Sequence, residues 1–225
     1  MARRRRLVSS VTEQPRRNLP GRTRRAVAVP KRRSKAATQP QRARAGDGDA
    51  GMPPVRIGHG WDLHRLEPIA PIGTGRQMIV GGVRMDDSGG KGPVAHSDGD
   101  VLLHAVTDAI LGAMAMPDIG QMFPDKSPRN EGRASVEFLA AAVAKAARAG
   151  WSVGNLDCTV ICERPKIGPV KAQIRQNLAR VLGVPLDRVN VKGKTHERVD
   201  AVGEGRAIEA HAVVVMVPRK KGEGR

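Results

Sequence analysis

Strand-like and helix-like segments interleave between residues 55 and 217 and predict an α/β chain, a mixed sheet with helices packed on one face. Three observations lead there. Apolar residues recur at helical spacing over 97–115, 133–150 and 170–183. Runs of strand character stand before and between them, and glycine closes two of the three helices.

Taken in order, "VRIGHG" (55–60) and "QMIVGGV" (77–83) read as strands joined through a Pro/Gly-containing connection. "SDGDVLLHAVTDAILGAMA" (97–115) reads as a helix, with Ser97 as N-cap and Asp100 three residues later in the capping-box position. "RASVEFLAAAVAKAARAG" (133–150) is an alanine-rich helix closed by Gly150. "WSVGNLDCTVICE" (151–163) has a strand pattern, and "VKAQIRQNLARVLG" (170–183) is a helix ending at Gly183. "VNVKGKT" (189–195) and "AIEAHAVVVMV" (207–217) are strands. No internal repeat is present.

The net charge of +17 points toward nucleic acid until its distribution is examined. Residues 1–51 hold 15 Lys and Arg against 3 acids, and the tail over 218–225 holds 4 against 1. That leaves 20 against 18 in the body over 52–217, so the basicity resides in the ends. The first segment lacks apolar periodicity and reads as a disordered basic extension. It has no apolar core of a secretion signal. Being Arg-rich and acid-poor, it fits an organelle transit peptide, a solvated tail, or a start assigned too early, since Met52 precedes the first strand. A nucleic-acid binding protein acting through this arginine arm is the alternative function. The body argues against it, having no Tyr and only Trp61, Trp151, Phe123 and Phe138 for base stacking.

Cys158 and Cys162 are the only cysteines. Four residues apart on one strand they would lie about 13 Å from each other, beyond disulfide reach, and read as reduced core residues.

Three clusters carry chemistry. In "GHGWDLHRLEP" (58–68), Asp62 and His64 are either a pair of ligands or a polar turn; in extended backbone they point the same way. On the 97–115 helix, Asp100, His104 and Asp108 form a polar stripe that lacks the usual Lys and Glu of a solvent face, next to His96, Ser97 and Asp98. Asp62, His64 and one helical His would make three ligands with a fourth position open, the style of catalytic zinc. "KGKTHERVDAVGEGR" (192–206) offers Lys and Thr donors for phosphate oxygens and a carboxylate, Glu197, for Mg²⁺; a basic turn is the other reading. His59 is expected to pack or hydrogen-bond beside the site, and His211 to sit on an ordinary strand.

Together, "RIGHGWDLHRLEP", "GPVAHSDGDVLLHAVTDAILGAM", "PDIGQMFPD", "GNLDCTVICERPKIGP" and "VNVKGKTHE" resemble the 2-C-methyl-D-erythritol 2,4-cyclodiphosphate synthases of non-mevalonate isoprenoid biosynthesis. "K-x-K-T-H-E" resembles the plant plastid variant, which implies the plastid stroma, or a bacterial cytoplasm if the chain starts at Met52. The resemblance implies a phosphorus–oxygen lyase that closes a cyclic diphosphate and releases CMP. It implies Zn²⁺ on Asp62, His64 and His104, and a second ion, Mg²⁺ or Mn²⁺, on Glu197. His96 and Thr195 match the groups that act on the transition state. Substrate contacts are implied for Asp62, Leu63, His64, His96 and Ser97. They are implied also for Asp118, Ile119 and Gly120, and for Phe123, Pro124, Asp125, Lys126 and Ser127. Cys162, Glu163, Arg164, Pro165, Lys166, Ile167 and Gly168 match the cytosine-reading loop, with Lys194, Thr195 and His196 beside it. Family members are homotrimers with sites between subunits, so the resemblance implies a homotrimer that needs neither membrane nor nucleic acid.

Overall fold

The computed structural model describes residues 54–219. The basic extension over 1–51, Met52 and residues 220–225 lie outside the described residues. Strand β1 (Arg56–Pro68) runs well past the expected end at residue 60, because its backbone pairs without a break against the last strand of the fold. The expected 77–83 strand is instead a tight hairpin, β2 (Ile79–Val80) and β3 (Val83–Arg84). Gly81 and Gly82 at its turn have φ of +59° and +74°, a left-handed backbone that only glycine adopts freely. Strand β4 (Lys91–Pro93) then adds to the end of β1.

Helix α1 (Val101–Ala113) starts later than expected. Gly99 has φ +77°, so the helix cannot extend back to Ser97, and Asp100 is the N-cap. Its carboxylate accepts from Leu103 N at 3.1 Å and also from Gly81 N and Gly82 N at 2.9 and 2.7 Å. One buried side chain thereby ties the helix to the hairpin. Burial pushes this carboxyl up to about 6, and the three amide donors oppose the rise.

Short helix α2 (Ile119–Met122) has a capping box of Asp118 and Gln121. Helix α3 (Ser135–Arg148) lacks a cap from its own Ala134; Asp98 supplies it, accepting from Ser135 N at 2.9 Å. After β5 (Trp151–Ile161) come α4 (Lys171–Leu182), β6 (Val189–Lys194), a short helix α5 (Asp200–Gly203) and β7 (Ala207–Pro218). The sheet order is β4-β1-β7-β5-β6, antiparallel except for the β5/β6 pair that α4 connects.

The mixed sheet with helices on one face agrees with expectation. Ile208, Ala210, Ala212, Val214 and Met216 of β7 alternate into the core with Leu156, Cys158 and Val160 of β5. On β1 the core-facing positions nearest α1 are Gly58 and Gly60. A Cβ on Gly60 would stand 1.9 Å from Ala105 O, so the helix backbone rests directly on the strand. The other sheet face carries Ile57, Trp61, Leu63 and Val213, all exposed; Ile57 is 68% exposed.

Both cysteines are free and buried, and burial pushes both thiols up to about 12. Cys162 lies one residue past β5 and donates to Pro165 O at 3.3 Å.

Candidate active site

Residues 62 and 64 share strand parity with Gly58 and Gly60, so both side chains face α1. His104, one turn into α1, meets them. Its Nδ1 lies 2.9 Å from Asp62 Oδ2 and 3.1 Å from His64 Nε2, and His64 Nε2 lies 3.2 Å from the same carboxylate oxygen. Ligand bonds of about 2.0–2.1 Å in tetrahedral array put donor atoms about 3.3 Å apart. The three atoms already stand near that spacing. Among the described residues no other group of three His, Cys, Asp or Glu side chains converges in this way.

The electrostatics suit a cation. Burial acts to raise the Asp62 carboxyl, but the hydrogen bond from His104 and the two imidazoles outweigh it and hold it below its usual value. Burial depresses His64 despite the nearby Asp62. Burial also acts to depress His104, yet its bond to Asp62 prevails and raises it. A cation would take the place of the proton that His104 shares with Asp62.

The outer partners fix the ring of His104. Its Nε2 lies 2.7 Å from Ser135 Oγ and 3.2 Å from Ser97 Oγ, and the Ser135 hydroxyl in turn donates to Asp98. With Nε2–H directed at Ser135, Nδ1 keeps a lone pair for a metal. Asp98 therefore serves twice, capping α3 and anchoring this chain of bonds. Of the polar stripe, only His104 enters the cluster. Asp100 is the structural cap, and Asp108 accepts from Ile119 N at 2.8 Å, holding α2 against α1.

A cavity of about 420 Å³ opens over the cluster, lined by Asp62, His64, His96, Ser97, His104, Ile119, Gly120, Phe123 and Asp125, together with Asn130 and Phe138. His96 donates from Nε2 to Ser127 O at 3.0 Å, which ties it to the 123–127 segment. Phe123 stacks on Phe138 with ring centroids 4.5 Å apart. Asn130, Ser135 and Phe138 escaped the sequence reading. Phe138 looks like plain core, and Ser135 like an unremarkable residue in a first helical turn.

The remaining expected residues lie elsewhere. Cys162, Pro165, Lys166, Ile167, Gly168, Lys194, Thr195 and Glu197 line a second cavity of about 450 Å³. There Thr195 Oγ1 donates to Glu197 Oε1 at 2.7 Å, and Glu197 has φ +51°, an unfavourable backbone for a non-glycine residue. His196 is not among its lining residues and bonds Asp200 at 2.9 Å. Glu163 and Arg164 line a third cavity, with Lys166 at its border with the second. Asp118, Pro124, Lys126 and Ser127 flank the first cavity without lining it. Leu63 points to the opposite sheet face, since it falls between Asp62 and His64, and only its amide reaches the site side, donating to Asp62 Oδ1 at 2.9 Å. His59 is on that opposite face too, so it does not pack beside the site; it bonds His211. Within one chain the two expected halves line separate cavities.

The YgbB family model matches residues 55–217. The chloroplastic 2-C-methyl-D-erythritol 2,4-cyclodiphosphate synthase of Arabidopsis thaliana is 52% identical over 166 residues, covering 74% of this chain and 68% of that one. The synthase of Trichlorobacter lovleyi is 47% identical over 165 residues, 73% of this chain and 100% of the relative. Among solved structures, the Plasmodium falciparum IspF–CDP complex aligns with TM-score 0.63 at 33% identity, over 76% of this chain and 100% of that one. The bifunctional IspDF of Campylobacter jejuni aligns with TM-score 0.67 at 32% identity, over 73% of this chain and 42% of that one. No described helix is long and apolar enough to cross a membrane. The chain belongs to the YgbB family, that of the 2-C-methyl-D-erythritol 2,4-cyclodiphosphate synthases.

Proposed function

We infer that this chain converts 4-diphosphocytidyl-2-C-methyl-D-erythritol 2-phosphate to 2-C-methyl-D-erythritol 2,4-cyclodiphosphate and CMP. The observation that carries this is the convergence of Asp62, His64 and His104 beneath a cavity, in a chain 52% identical to a synthase of that name. An oxygen of the 2-phosphate forms a bond to the β-phosphorus, the bond from that phosphorus to CMP breaks, and CMP departs with the electron pair. The nucleophile is anionic and tethered, so the protein contributes placement and neutralisation of charge.

Asp62, His64 and His104 suit Zn²⁺ by donor type and number, and Glu197 suits a hard ion such as Mg²⁺ or Mn²⁺. Bound there, such ions supply positive charge that neutralises the phosphate oxygens. The residues of the chain do the rest. His96 and Thr195 present an N–H and an O–H to phosphate oxygens; each donor is at present satisfied inside the chain, by Ser127 O and Glu197. Ile119, Gly120, Phe123 and Asp125 shape the wall that takes the methylerythritol portion and excludes water. In this reading the backbone of 162–168 reads cytosine, and the CDP held by the Plasmodium falciparum relative supports a cytidine subsite. Lys194 and Lys166 bring positive charge to that second cavity.

Two half-sites in separate cavities call for a second copy of the chain. We propose that the functional unit is a homotrimer in which one chain's Asp62/His64/His104 cavity meets a neighbour's Thr195/Glu197 cavity. The exposed Ile57, Trp61, Leu63 and Val213 give the uncovered sheet face an apolar character that self-association would bury. The comparisons match residues 55–217 and lend no support to nucleic-acid binding through the arm.

The test is CMP release with phosphorus NMR of the product, on the metal-loaded chain, on chelator-treated chain, and on His104→Ala. Formation of the cyclic diphosphate that disappears in both controls is expected. Zinc-loaded, oligomeric chain that releases no CMP would refute the assignment.

A further inference from the structure

The uncovered sheet face holds a second group of metal-ligating side chains that the reaction above does not use. His59 on β1 and His211 on β7 are diagonal neighbours, since Trp61 pairs with His211 and His59 with Val213. His59 Nε2 stands 3.2 Å from His211 Nδ1. The other nitrogen of His211, Nε2, donates to Glu209 Oε1 at 2.6 Å, and Trp61 Nε1 donates to the same oxygen at 2.9 Å. Glu209 is mostly covered and fixed between two donors, so it settles the tautomer of His211. With the proton on Nε2, the Nδ1 lone pair is directed at His59.

We propose that His59 and His211 form a second transition-metal site, separate from the Asp62/His64/His104 centre and on the opposite face of the sheet. The 3.2 Å separation of the two nitrogens matches the about 3.3 Å between cis ligands of a tetrahedral ion. A carboxylate behind a ligating imidazole is the usual outer partner of a metal-bound histidine, and Glu209 occupies that place. Two neutral imidazoles select Zn²⁺, Ni²⁺ or Cu²⁺ over Mg²⁺ or Ca²⁺. In the metal-free chain the His59 Nε2–H fills the Nδ1 lone pair. Binding turns both nitrogens toward the ion, with the His59 proton moved to its own Nδ1 by exchange with solvent. The remaining positions are open to water or, in the trimer proposed above, to a neighbouring copy. The site itself rests on the geometry within one chain. All six histidines of the sequence lie within the described residues, so the basic ends contribute no competing imidazole.

The experiment is a Zn²⁺ titration of the full chain by calorimetry, with native mass spectrometry to count equivalents per chain. It is run on wild type, His59→Ala/His211→Ala and His104→Ala. Wild type should bind one equivalent more than the double variant, which keeps CMP release, while His104→Ala loses a different equivalent. Glu209→Gln should weaken the second site about 10- to 100-fold without removing it. Should the double variant fold poorly, His59→Asn and His211→Asn singly serve, because either leaves a lone imidazole. Cu²⁺ added to His104→Ala should show electron-spin couplings to the two imidazole nitrogens of His59 and His211, a pair lost when His59→Asn is added to the same variant. Equal equivalents and equal affinities in wild type and the histidine variants would overturn the proposal. So would a change of oligomeric mass in those variants with zinc binding intact, which would make the pair an interface contact.

Discussion

Gly60→Ala should damage the metal cluster without touching any of its ligands. The added Cβ would meet Ala105 O at 1.9 Å and Ala109 N at 2.6 Å, both atoms of helix backbone with no flexible end to yield. Reaching an ordinary contact of 3.4 Å requires α1 and β1 to part by about 1.5 Å. Overpacking of this kind costs about 3 kcal/mol, the upper end of its usual range, because no side chain can rotate away. For a domain of this size that corresponds to a fall in Tm of about 6–12 °C. The same displacement acts on the site, since β1 carries Asp62 and His64 while α1 carries His104, and their donor atoms lie 2.9–3.2 Å apart. Metal bonds tolerate errors of about 0.2 Å, so Zn²⁺ affinity should fall by at least about 100-fold. Thermal unfolding and calorimetric Zn²⁺ titration read the two effects. A variant with unchanged Tm and unchanged Zn²⁺ affinity would refute the view that backbone contact between strand and helix sets the cluster.

Ser135→Ala removes the acceptor of His104 Nε2–H and should weaken metal binding about 10- to 100-fold while leaving the secondary structure intact by circular dichroism. Raised by its bond to Asp62, His104 holds a proton that a metal must displace, so apparent Zn²⁺ affinity should climb as pH rises through the raised value and level off above it. Titrations at several pH values that give one affinity would contradict this. Cys158 and Cys162, buried and with thiols near pH 12, should resist alkylation in the folded chain at pH 8 and react fully in denaturant.

Much of the fold was written in local pattern. The apolar face of α1 and the alternation in β5 and β7 follow directly from their periods, and Asp62-x-His64 points one way because strand side chains alternate. That same alternation puts His59 on the far side, three residues from Asp62 and of opposite parity; the error came from reading nearness in sequence as nearness in space. The start of α1 was misplaced because Ser97 followed by Asp100 matches the capping-box spacing, whereas the positive φ of Gly99 moves the cap to Asp100. A three-residue strand and one-turn helices carry too few residues for a period, so β4, α2 and α5 passed unnoticed. Ser135 offered no signal, for its importance comes from α3 starting beside His104, a contact across 31 residues. Nor could spacing tell that Thr195 and Glu197 line a cavity apart from Asp62 and His64.

That separation frames the measurement that bears most directly on a site shared between chains. His104→Ala and Thr195→Ala chains, each near background alone, are mixed in equal amounts under conditions where native mass spectrometry confirms exchange of subunits. In a ring of identical chains, random mixing leaves about one site in four with an intact metal half facing an intact Thr195 half. The mixture should therefore recover about a quarter of wild-type CMP release. Confirmed hybrids no more active than their parents would contradict a site built from two copies of the chain.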